Sequence, residues 1–160
     1  MYLQIEGQTD EAIRQYERTV TLDENYTDAY LNLGRLAMYQ GRPTDADHFF
    51  QELIKTPPLE GYAQHLEAYY QLVDLRIKAL DPGMAKVFLE EMLLYDNPAY
   101  HVGAEGRRYI ESARKLEPLI NGVIGDVHSG RGAATSTVPS RSASSPLDGS
   151  TTPVPTASGR

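Results

Sequence analysis

The sequence predicts an all-α fold: antiparallel helix-turn-helix repeats stacked as a short right-handed α-solenoid, with a C-terminal capping helix and a disordered tail. Tyr2 to Val20 is restated by Leu36 to Ile54 at an offset of 34 positions, which pairs Gly7 with Gly41, Ala12 with Ala46, Tyr16 with Phe50 and Val20 with Ile54. A unit of this length cannot bury its own apolar face and becomes stable only by stacking on neighbours. Within each copy the apolar residues recur at helical spacing on either side of a glycine. From Ser129 onward, by contrast, the chain is mostly Ser, Thr, Pro, Ala and Gly without an aromatic residue.

Taken in order, the first copy keeps only the end of its first helix before Gly7, because Met1 falls at about the ninth position of the repeat. Its second helix carries Ala12, Ile13, Tyr16 and Val20, and their apolar side lacks the expected cover. Either the chain is a piece of a longer superhelix, or two copies pair through that face. The second copy is complete. Tyr30, Leu33, Leu36 and Ala37 form one stripe that ends near Gly41, and Ala46, Phe49, Phe50, Leu53 and Ile54 form the next. Thr56-Pro57-Pro58 then stops the helix, since paired prolines cannot continue it. Ala12 and Ala46, one turn before an aromatic, give two helices room to approach closely.

The second copy resembles a tetratricopeptide repeat, whose pattern runs W-x2-L-G-x2-Y, A-x3-F and P. Tyr30 stands at the tryptophan position, followed by Leu33-Gly34, Ala37 in place of the second aromatic, then Ala46, Phe50 and Pro58. The first copy retains Gly7, Ala12, Tyr16 and Leu22-Asp23. A looser third copy centres on Ala85, 39 positions after Ala46, with Tyr69 and Leu72 upstream, Leu89 in place of Phe50, and extra residues around Pro57 to Tyr62. Beyond it, Val102, Tyr109, Ile110, Ala113, Leu116 and Ile120 make a capping stripe, softly interrupted by Gly103 and Gly106. The expected division is a repeat domain over 1–121 and a disordered tail over 122–160. The tail lacks the apolar surface needed to offset ordering entropy, and its Ser145-Pro146 and Thr152-Pro153 dipeptides are candidate phosphorylation sites, although composition alone favours such dipeptides.

The chain has 160 residues, no cysteine and a net charge of −7. Disulfides and thiolate metal sites are therefore excluded. No apolar run reaches bilayer length and the first residues do not read as a secretion signal, so the expected address is cytoplasmic, without membrane contact. A search for catalytic chemistry finds nothing assembled. His48 follows Asp45 and Asp47 but is expected to face solvent, His65 and Glu67 lack the i, i+4 spacing that pairs ligands, and Glu90-Glu91 point apart on a helix. No nucleophile elbow, phosphate loop or zinc-protease helix occurs. Neither an enzyme nor a cofactor is expected.

What remains is surface. The resemblance implies a concave groove lined by the first helices of the repeats, which takes an extended peptide or a helix of another protein. Mapped by position, that groove shows Asp28, Leu31, Asn32, Arg35 and Tyr39, then Glu67, Tyr70, Gln71, Asp74 and Lys78. Tyr39 and Tyr70 offer broad amphipathic contact, and Asn32 both donates and accepts hydrogen bonds. The chaperone-tail clamp known in the family is not reproduced, because Glu67 and Gln71 stand where cations are needed. The expected function is a non-enzymatic interaction scaffold or adaptor. The alternatives are self-association as a homodimer through the first repeat, and nucleic-acid binding by Arg107, Arg108, Arg114 and Lys115. The acidic charge opposes approach to a polyanion, and no nucleic acid is expected.

Overall fold

The computed structural model describes residues 2–128, and these form six helices joined by short turns. They are α1 (Tyr2–Leu22), α2 (Thr27–Tyr39), α3 (Pro43–Lys55), α4 (Ala63–Lys78), α5 (Pro82–Leu93) and α6 (Ala104–His128). Each helix packs on the next, except that α2 also meets α4 and α4 also meets α6. This pattern is that of stacked hairpins, in which α2, α4 and α6 are neighbours on one side, and the whole is an all-α, solenoid-like arrangement.

The second repeat folds as its residues require. Gly41 takes φ 68°, a left-handed turn that a side chain disfavours, while the Arg42 amide donates back to the Ala37 carbonyl at 2.9 Å to close α2. Pro43 then opens α3, where its missing N–H is no loss. Ala46, Phe50 and Leu53 are wholly buried, and Phe50 lies so close to α2 that a Cβ on Gly34 would fall 2.4 Å from its ring. The close approach therefore depends on Gly34 as well as on Ala46. The third repeat repeats the scheme with Tyr69, Leu72, Ala85 and Leu89 buried, and Asp81 caps α5 by accepting from the Met84 amide at 3.0 Å. Its extra residues form the link before α4, where Gly61 and Tyr62 both have positive φ. The Tyr62 ring rests 5.3 Å from that of Tyr95 and 5.6 Å from that of Tyr100, which holds the strained residue in place.

Two expectations need correction. Gly7 does not separate two helices, because α1 runs through it without a break. Within a helix the glycine carries a penalty of about 1 kcal/mol, which the continuous α1 absorbs. Gly106 does not interrupt the capping helix either. It lies within α6, where a Cβ would strike Val102, the Gly61 carbonyl and Leu66, so it permits contact with the preceding link.

The stripe expected of α6 is otherwise present, with Val102, Ile110, Ala113 and Ile120 buried. The helix continues past Asn121 to His128, beyond the expected start of the tail and despite Pro118 in its interior. The low-complexity stretch 129–160, with its Ser-Pro and Thr-Pro dipeptides, lies outside the described residues. Among the described residues no helix is long and apolar enough to cross a membrane.

Candidate interaction face

Helices α2, α4 and α6 share one face, and Arg35 on α2 is its first anchor. Its Nε donates to Glu67 Oε1 at 2.7 Å and its Nη2 to Glu67 Oε2 at 2.6 Å. The paired geometry matches a guanidinium to a carboxylate and fixes the separation of α2 and α4. Tyr109 on α6 joins the group. Burial first, and then the neighbouring Glu67 carboxylate, push its hydroxyl up to about 12, so it stays protonated at neutral pH. The hydrogen bond to Glu67 in turn raises the Arg35 pKa. The enclosed Glu67 carboxylate thus ties α2 to α4, with Tyr109 of α6 beside it.

Around this link, the Tyr70 ring lies 5.9 Å from that of Tyr109, Gln64 reaches Asp28 at 3.5 Å, and Lys78 pairs with Asp74 at 2.5 Å within α4. Tyr39 is 74% exposed and makes a projecting edge. Asn32, Tyr70 and Gln71 are half-buried. Of the residues expected in the groove, Leu31 lies in the core and Glu67 is enclosed by its partners, so neither offers open contact area. The core position of Leu31 follows from helix geometry, since α2 is covered by α3 on one side and α4 on the other. Sequence reasoning placed Tyr109 in an apolar stripe and passed over its hydroxyl. The signal available was a tyrosine among aliphatic residues, which when buried needs a polar partner.

The remaining polar groups act as struts. Arg76 Nη2 on α4 donates to both carboxylate oxygens of Asp47 on α3 at 2.7 Å, and its guanidinium lies 5.9 Å from the centre of the Phe88 ring. Thr27 and Thr56 share a buried hydrogen bond of 3.0 Å. His65, read from sequence only as a failed ligand, is buried, with Nε2 2.9 Å from the Thr56 carbonyl. Burial is the main cause that lowers its pKa. His48 is exposed, as expected. The basic residues of α6 do not form a free cluster, because Arg114 is held by Asp96. Among the described residues no three His, Asp or Glu side chains converge as a metal site.

Residues 3–68 match the family model of the tetratricopeptide repeat. Over this stretch, less than half of the chain, the sequence resembles the tetratricopeptide repeat. The match covers α1, α2, α3 and the start of α4, and α4 with α5 packs as a further helical hairpin beyond it. No curated protein matches the chain in sequence. Among solved structures, that of MamA is similar with a TM-score of 0.46 and 22% identity, covering 81% of this chain and 82% of that one. The tetratricopeptide-repeat fold is in general a scaffold for binding other proteins.

Proposed function

We propose that this protein is a non-enzymatic adaptor that holds an extended peptide or a helix of a partner protein against the α2, α4 and α6 face. The support is the Arg35–Glu67 pair, which ties α2 to α4, and the Tyr70–Tyr109 ring contact, which ties α4 to α6, with Tyr39 projecting at one edge and Asn32, Tyr70 and Gln71 partly open beside them. A pre-organised surface lowers the entropic penalty of binding, and tyrosines at its margin supply contact area. Capture of binding proteins by the full chain, followed by the Tyr39→Ala/Tyr70→Ala double variant, tests the assignment. Loss of capture with unchanged helicity supports it, and unchanged capture with unchanged helicity removes it.

A second reading, self-association through α1, has its own observation. Ala12, Ile13, Tyr16 and Val20 are only half-buried, and α1 meets no other described helix than α2. A mass that rises with concentration in sedimentation, and that Tyr16→Asp abolishes, would favour this reading.

A further inference from the structure

The turn between α4 and α5 breaks a rule that the same turn obeys one repeat earlier. At the 39-residue offset, Leu80 stands where Gly41 stands. The two turns have the same backbone. The Asp81 amide donates to the Arg76 carbonyl at 2.9 Å as the Arg42 amide does to Ala37, with φ 58° at Leu80 and 68° at Gly41. A leucine in this left-handed conformation is strained, and Leu80 gains no burial in return, since it is 89% exposed.

The residues that follow explain it. Met84, Val87 and Glu91 are spaced 3 and 4 apart in a seam along one side of α5, and Leu80 in the turn before it and Leu94 at its C-cap extend the same intervals at the two ends. Met84 is 40%, Val87 42% and Leu94 68% exposed. Their counterparts in the second repeat are Gly41, Asp45, His48, Glu52 and Lys55. Every apolar member of the seam thus replaces a polar residue or a glycine. The core side of α5 is a different set, Ala85, Phe88, Leu89 and Met92, and no described helix other than α4 and α6 packs on α5.

We propose that this outer seam of α5 docks a basic amphipathic α-helix of a partner protein, with Leu80 as its anchor. Spacing of 4 and 3 is the register in which one helix receives another. Charge sets the sign of the partner's flanks: Glu91 lies in the seam and Asp81 and Glu90 border it, against the single cation Lys86, which pairs with Glu90, in a chain of net charge −7. The surface is separate from the α2, α4 and α6 face and does not depend on that assignment.

The test uses the full chain and a fluorescent synthetic helix with leucines at 4, 3 spacing and lysines beside them, followed by anisotropy. Saturable binding is expected, at least tenfold weaker for the same peptide with glutamates in place of lysines. Leu80→Gly, which restores the glycine of the second repeat, and Met84→Asp/Val87→His are each expected to weaken binding at least tenfold. The melting temperature of Leu80→Gly is expected to stay equal or rise. Absence of binding, or affinity unchanged in both variants, would overturn the proposal. So would loss of binding in Tyr39→Ala/Tyr70→Ala, which would assign the peptide to the other face. A lower melting temperature for Leu80→Gly would show that Leu80 serves the fold, and self-association abolished by that variant would make a second copy the occupant.

Discussion

Arg35 and Glu67, 32 residues apart, meet in a two-point ion pair with the arginine half exposed and the carboxylate enclosed. The asymmetry decides what each substitution does. Arg35→Ala leaves the enclosed carboxylate with only Tyr109 beside it, and we expect a loss of about 1–3 kcal/mol, below that of a fully buried pair because water reaches the arginine side. Urea denaturation of Arg35→Ala, Glu67→Ala and the double variant would read this. The double variant is expected to lose less than the two single losses together.

Glycines at two positions separate space from backbone freedom. Gly34→Ala would place a methyl group against the buried Phe50 ring, and a loss of about 1–3 kcal/mol is expected, partly recovered by Phe50→Leu. Gly7→Ala meets nothing within 4 Å inside a continuous helix, and a gain of about 0.5–1 kcal/mol is expected. Thermal melts of the two variants should therefore shift in opposite directions.

Stability should fall as the solution is acidified below the ordinary histidine range. The Thr56 carbonyl can only accept, so Nε2 of His65 carries the proton, and a second proton must enter at Nδ1, which is buried without a partner. With the folded pKa lowered, the unfolded chain binds the proton more readily. The full stability of the neutral form is present above about pH 6.5, declines as pH drops below that value, and levels off once the folded pKa is passed. The slope of unfolding free energy against pH between about 5 and 7 should flatten in His65→Leu.

Pro118, exposed within α6, supplies no amide to the Arg114 carbonyl one turn earlier. Pro118→Ala is expected to raise stability by about 1–3 kcal/mol, as measured by the denaturation midpoint. An unchanged midpoint would mean that the end of α6 frays independently of the repeats.

Much of the fold was legible in the chain because local signals and packing agree there. The stripe through Phe50, the stop at Pro57-Pro58 and the small residue at Ala46 each act within a few positions, and all correspond to what is observed in α3. Legibility failed where a residue's neighbours are remote. Gly7 and Gly41 occupy equivalent places, yet Gly41 takes a positive φ and turns the chain while α1 runs on through Gly7. His65 looked like an idle polar residue, and the carbonyl that receives it belongs to a loop residue beyond the reach of any helical spacing.

Periodicity, turn residues and the internal repeat together specify helices, their order and the face each one hides, because those properties are written at spacings of three, four and 34 positions. They also carry the resemblance of residues 3–68 to the tetratricopeptide repeat. Which polar groups meet was settled by stacking, which brings Arg35 onto the Glu67 carboxylate with Tyr109 beside it and buries Leu31. Exposure of Leu80 belongs to the same class. A side chain's neighbours across helices depend on crossing geometry and on close contacts such as Gly34 with Phe50, and that information exists only once the hairpins are packed.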